Sequence, residues 1–200
     1  MRIPQRTPLV RILAAAAVSG SLLAPSACAF VEGGAKAVRE FDDRRGSVAV
    51  SRGIDASDGY IPSGSSLSPA DDTHSALANL EPALRAAMRS AAADAQADGI
   101  RMVVTSGWRS ARYQQSLLDD AVWTYADEAE ARRWVNTPDR STHVSGHAVD
   151  IGPTDADSWL AQHGGRYGLC QTYANEMWHF ELATAPGGTC PAQRADASAG

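Results

Sequence analysis

The sequence predicts an α+β fold. Apolar residues recur at helical spacing from Leu80 to Ala95, and short apolar or β-branched runs stand at Ile100–Thr105, Ala148–Ile151 and Trp178–Leu182. Such runs are few, they alternate with helical patterns irregularly, and no internal repeat is present, which excludes a βαβ series or a solenoid. A chain of 200 residues without a second compositional block is read as one domain with a real core.

The elements follow in chain order. From Asn79 to Asp98, Leu80, Leu84, Ala87, Met88, Ala91 and Ala95 share one helical face, Pro82 is tolerated in the first turn, and Gly99 ends the helix. Ile100–Thr105 is predicted as a strand, and Ser106-Gly107 as the turn out of it. Ser110 to about Ala126 reads as a second helix and Asp127–Val135 as a third. Ala148–Ile151 reads as a buried strand, Asp155–His163 as a short helix closed by Gly164-Gly165, and Trp178–Leu182 as the last strand.

Ahead of this body lie two further segments. Arg2, Arg6 and Arg11 precede an apolar run from Ile12 to about Ala24, and Ala27-Cys28-Ala29 follows as a small-x-small cleavage pattern, so residues 1–29 are predicted as a signal peptide and Phe30 as the mature start. The run is shorter than the ~20 residues of a spanning helix, so no stable membrane insertion is expected after cleavage. Cys28 is the alternative reading, a lipidation site, but Pro25 stands where a lipobox takes a large aliphatic residue. Residues 30–73 are rich in Gly, Ser, Asp and Arg, with only Ser47–Val50 strand-like, and read as a leader that links or wraps. The catalytic body is assigned to residues 74–200.

Charge and cysteines narrow the setting. The formal net charge of −5 becomes more acidic once the three signal arginines leave, which disfavours nucleic acid and anionic membrane as partners. After cleavage Cys170 and Cys190 remain, an even pair in an oxidising compartment, and are expected to bond. The loop they close holds Glu176 and His179. A secreted protein acting on a neutral or small substrate fits both facts.

The chemistry sits in two short segments. STHVSGHAVD carries His143 and Asp150, and NEMWHFE carries Glu176 and His179. Two neutral imidazoles and one carboxylate leave a tetrahedral zinc ion one open position, as a hydrolytic site requires, and a second carboxylate can serve as general base. Glycine and β-branched residues oppose a helix between His143 and Asp150, so a turn at Ser145-Gly146 is expected to bring them together, with small Ala148 leaving space beside the ion. His147 is a rival ligand by its spacing from His143, but no HE pair accompanies it. His74 and His163 read as solvated, and Trp108, Trp123, Trp134 and Trp159 as core or groove residues, Trp108 the first choice to line a site.

Taken in order, SGWRS at Ser106–Ser110, the SxHxxGxAxD pattern of Ser141–Asp150 and the ExxH of Glu176–His179 resemble the VanY-type D-alanyl-D-alanine carboxypeptidases, zinc D,D-peptidases of bacterial cell-wall metabolism. The resemblance runs from about Leu80 to Leu182. It implies the zinc D,D-peptidase (hedgehog/DD-peptidase-like) fold, a small antiparallel sheet flanked by helices. It also implies one zinc ion on His143, Asp150 and His179, Glu176 as catalytic base and Arg109 beside the scissile carbonyl. Ser141 and Gln114 are implied as donors to the substrate's terminal carboxylate, and Trp178 is read as core or pocket wall, pointing away from Glu176 and His179 if that stretch is extended.

The function expected is removal of the terminal D-alanine from peptidoglycan stem peptides by a secreted, cell-wall-associated monomer. Two alternatives stand beside it: a D,D-dipeptidase or peptidoglycan endopeptidase with the same metal chemistry, and a noncatalytic zinc-dependent wall-binding module, against which the intact Glu176 weighs.

Overall fold

A computed structural model of the chain describes residues 52–199. The predicted signal peptide, Cys28 and the Ser47–Val50 stretch lie outside the described residues.

Among the described residues, five α-helices and four strands form an α+β arrangement. In chain order they are α1 (Ser75–Ala78), α2 (Pro82–Ala97), β1 (Val103–Ser106), α3 (Ala111–Tyr125), α4 (Glu128–Arg132), β2 (Ala148–Gly152), α5 (Thr154–His163), β3 (Leu169–Gln171) and β4 (His179–Leu182). The strands form one sheet in the order β1-β2-β4-β3, antiparallel at every junction. Among the described residues no helix is long and apolar enough to cross a membrane.

The first helix is shorter than its apolar spacing predicts, because the chain breaks between Ala78 and Pro82. His74 caps α1, its Nδ1 accepting from the Ala76 N–H at 3.1 Å, and Pro82 then opens α2 at the one position where its missing N–H costs nothing. Ser110 caps α3 by accepting from the Tyr113 N–H at 3.1 Å, and Asp127 caps α4 by accepting from the Glu130 N–H at 2.8 Å. Strand β3 is absent from the sequence reading: three residues between Gly168 and Thr172 offer no period to detect.

Alternation along the strands divides the sheet into two faces. Val104, Val149, Ile151, Phe180 and Leu169 are buried with Leu77, Leu84 and Met88 of α1 and α2 and with Trp159 and Leu160 of α5 in one apolar cluster. Asp150, His179 and Glu181 take the other parity, so the core face is apolar and the opposite face carries the chemistry. A second cluster joins Tyr113, Leu117, Leu118 and Ala121 of α3 to Ala131 and Val135, and to Ile54 and Tyr60 of the segment before the body.

The described part of that segment, residues 52–73, packs on the body. Leu67 exchanges both backbone hydrogen bonds with Val104 of β1, each 2.9 Å, and Asp58 is buried, accepting from Ser110 Oγ at 2.7 Å and from the Arg112 guanidinium. Residues 52–73 thus contribute Ile54, Tyr60 and Leu67 to the apolar packing of the body. Trp159 is a core residue as read from the sequence, its indole N–H donating to Asp98 at 2.8 Å. Trp123 departs from that reading: at 68% exposure it lies on the outer face of α3.

Candidate metal centre

The register of the sheet assembles the site. Asp150 on β2 is directly opposite His179 on β4, and Ser106 on β1 is directly opposite Asp150. Thr105 is an extra residue in β1, and this bulge re-aims Ser106 toward the same face. His143 reaches the cluster from the loop before β2. There the Val144, Gly146 and His147 N–H groups return to the Ser141, His143 and Thr142 carbonyls. Gly146 makes that turn possible: its φ is +77°, and a Cβ there would meet the Asn79 carbonyl oxygen at 2.6 Å. The expected convergence through Ser145-Gly146 is thus what the structure shows.

His143, Asp150 and His179 are all buried and present three donor atoms in a near-equilateral triangle. His143 Nε2 lies 3.2 Å from His179 Nδ1, and Asp150 Oδ1 lies 3.3 Å from the first and 3.4 Å from the second. Donors ~2.0–2.1 Å from a tetrahedral zinc ion stand about 3.4 Å apart, so the triangle already has the edge length such an ion imposes. Asp150 Oδ1, though buried, accepts no hydrogen bond among the described residues. A cation at the centre would satisfy it, and the residues present fit a zinc ion by donor type, spacing and burial.

Each ligand is oriented by a second contact. His143 donates from Nδ1 to the Gly107 carbonyl at 2.8 Å, leaving Nε2 to face the centre of the triangle, while His179 donates from Nε2 to Glu181 Oε1 at 2.9 Å, leaving Nδ1. Asp150 Oδ2 accepts from Arg109 Nη2 at 2.9 Å, which turns Oδ1 toward the imidazoles. Glu176 comes in through a turn. Its N–H returns to the Tyr173 carbonyl, the His179 N–H returns to its own carbonyl, and its Oε2 lies 3.7 Å from His179 Nδ1. The chain from Glu176 to His179 is this turn rather than extended, and β4 begins at His179, one residue later than the predicted Trp178–Leu182. Trp178 is half-buried beside it, its carbonyl accepting from the Ile151 N–H at 3.0 Å.

The electrostatics follow from burial and contacts. Burial first, then the Arg109 charge, pushes His143 down to about 4, so it is the neutral imidazole a metal requires. Burial opposes charge on His179, but the adjacent Asp150 and Glu181 carboxylates outweigh it and carry it up to about 9, so an ion at the centre would displace the proton from Nδ1. Burial also works against Asp150, yet His143, His179 and Arg109 hold its carboxyl well below the ordinary range.

The remaining predicted residues are placed as follows. Arg109 is 8% exposed and donates to Asp150, to Gln114 Oε1 at 3.1 Å and to Ser106 Oγ at 2.9 Å, so it steadies a ligand carboxylate at the site. Gln114 is 1% exposed and donates from Nε2 to the Asn136 carbonyl at 2.8 Å. Its Oε1 accepts from Arg109, which joins it to the cluster. Ser141 is buried at the start of the His143 turn. His147 is exposed, its ring nitrogen 2.9 Å from Ser145 Oγ, and takes no part in the cluster. Trp108 donates from its indole N–H to the Val144 carbonyl at 3.1 Å, bracing the loop that carries His143. Ala148 is paired with Glu181, so its small side chain clears that carboxylate rather than the ligands. Cys170 and Cys190 form a disulfide.

Glu181 and the Gly107 carbonyl are absent from the sequence reading. Glu181 had a signal, since in HFEL it stands two residues from His179 and so on the same strand face. A backbone carbonyl has none.

These features define a class: an α+β scaffold whose sheet presents a buried two-histidine, one-aspartate donor set with a further carboxylate alongside. The chain belongs to the VanY family, whose family profile, described as D-alanyl-D-alanine carboxypeptidase, matches residues 77–185. A D-alanyl-D-alanine carboxypeptidase of Enterococcus faecalis (strain ATCC 700802 / V583) is 32% identical over 111 residues, covering 43% of this chain and 41% of that protein. The chain therefore spans less than half the length of this relative. Among solved structures, a mutant of the vancomycin-resistance D,D-pentapeptidase VanY in complex with Zn(II) is 26% identical, with a TM-score of 0.48 over 51% of this chain and 71% of that one. The LD-carboxypeptidase LdcB is 20% identical, with a TM-score of 0.49 over 57% of this chain and 64% of that one.

Proposed function

We propose that this protein is a secreted zinc D,D-carboxypeptidase that releases the terminal D-alanine of peptidoglycan stem peptides. The observation that carries the reading is the triangle of His143 Nε2, Asp150 Oδ1 and His179 Nδ1 with Glu176 at its side. Membership of the VanY family supplies the reaction class. The disulfide, together with the signal-like N-terminus, supports export.

His143, Asp150 and His179 would hold the ion. When bound, zinc supplies a Lewis acid that polarises a peptide carbonyl and acidifies water. Glu176 is placed to take the proton of the attacking water and pass it to the leaving amine of D-alanine. Arg109, fixed by Asp150, Gln114 and Ser106, keeps a positive charge at the site that favours negative charge growing on the carbonyl oxygen.

Glu176→Ala tests the mechanism: turnover should fall by roughly 10²–10⁴-fold while zinc is retained. Full activity in that variant would remove Glu176 from the chemistry. Mass-spectrometric product analysis on D-Ala-D-Ala, on a pentapeptide and on cross-linked muropeptides tests the substrate. Release of one D-alanine from the pentapeptide is expected, and cleavage of the dipeptide or the cross-link alone would transfer the assignment to a dipeptidase or an endopeptidase.

A further inference from the structure

Glu181 Oε1 gathers three donors from three separate segments. His179 Nε2 lies 2.9 Å away on the same strand, Thr142 Oγ1 lies 3.0 Å away in the loop that carries His143, and Thr172 Oγ1 lies 3.2 Å away just past β3. Thr172 is itself held, since its carbonyl accepts the Arg194 N–H at 2.9 Å, and Cys170, two residues earlier, pairs with Glu181 across the sheet and is bonded to Cys190. One carboxylate oxygen thus ties together the segments bearing both histidines and the disulfide-closed edge of the sheet.

An imidazole offers a metal either nitrogen, and the nitrogen left over keeps its proton and donates it in a hydrogen bond. The Glu181 contact decides this for His179 by accepting the proton of Nε2, so the lone pair on Nδ1 faces His143 and Asp150. His143 has the opposite arrangement, with Nδ1 held by a carbonyl and Nε2 facing inward. The mixed pair of tautomers is what lets ligands from a loop and a strand meet at one point. We propose that Glu181 is a positioning residue for metal capture: it sets the His179 tautomer and holds the two histidine-bearing segments at ligand distance. This rests on the zinc reading above. Glu181 touches neither the ion nor the substrate.

The test compares full-length wild type, Glu181→Gln and Glu181→Ala by zinc titration against a chromophoric chelator. Removing such an outer carboxylate costs roughly 10–100-fold in metal affinity, which is expected for Glu181→Ala, with a smaller loss for Glu181→Gln, whose amide oxygen still accepts from Nε2. The second readout is the imidazole ¹⁵N spectrum of the zinc-loaded wild type, in which His179 should carry its proton on Nε2 and bind through Nδ1. A purely structural role would not fix that signature or give graded rescue by glutamine. Wild-type zinc affinity in Glu181→Ala, or a His179 bound through Nε2, would overturn the proposal while leaving the zinc reading intact. A wild type that takes up no zinc would overturn both. If Glu181→Ala does not fold, the glutamine variant and the wild-type spectrum decide.

Discussion

Arg109 is a buried guanidinium held by three side chains, Asp150, Gln114 and Ser106. It belongs to the SGWRS motif and forms an ion pair with the Asp150 carboxylate, 2.9 Å away and equally buried. Removing one member of a buried pair leaves the other uncompensated, so Arg109→Ala should lower the stability of the metal-free protein by about 3 kcal/mol and weaken zinc binding, because Asp150 loses the contact that aims Oδ1. Urea unfolding and zinc titration check this, and loss of turnover with both properties unchanged would confine Arg109 to the chemical step. Arg109→Lys keeps the charge but not the three-way fork to Asp150, Gln114 and Ser106, and should fall between the two. His143, Asp150, Glu176 and His179 stood out as candidates because they fall in two short segments, and the resemblance to the VanY-type peptidases gave them their expected roles. Gln114 was legible only as a neighbour of the site, since nothing local reveals that both ends of its amide point into the protein.

At the scale of elements, the loop before β2 and the helix after it carry the sharpest tests. Gly146 combines φ +77° with a backbone oxygen 2.6 Å from where a Cβ would stand, so Gly146→Ala should cost roughly 1–3 kcal/mol and displace His143 from the cluster. Denaturant unfolding reads the first effect and zinc affinity the second. In α5, burial first, then Asp150 and Asp155, pushes the Asp157 carboxyl up to about 7. A group whose pKa is raised on folding binds more protons in the folded state, so its contribution is full below the ordinary carboxylate range and is lost as pH rises through about 7. Asp157→Asn should therefore match the wild type near pH 4 and exceed it in stability near pH 8, and a variant with the same pH slope as the wild type would contradict that. Helices α2, α3 and α5 were legible because their periodicity or caps are local. Strand β3 was not, because its identity lies in pairing with β4 rather than in its own three residues.

For the whole molecule, the acidic chain places its core on one face of a small antiparallel sheet and its chemistry on the other. Residues 52–73 pack on the body through Leu67, Tyr60, Ile54 and Asp58, contacts that a low-periodicity sequence leaves open between linking and wrapping, because such segments take their shape from the surface they cover. The disulfide closes a loop of 20 residues around Glu176 and His179, worth about 3 kcal/mol in the chain-entropy model. Cys170→Ser with Cys190→Ser should lose stability on that order and bind zinc less tightly, and unchanged zinc affinity would free the site from dependence on the bond. The central claim is that this fold brings His143, Asp150 and His179 together around a single zinc ion. Titration of the metal-free protein with zinc, followed by elemental analysis, measures that claim directly: one tightly held ion per chain is expected, lost in His143→Ala and in Asp150→Asn. A chain that retains no zinc, or that retains it equally in both variants, would contradict the account.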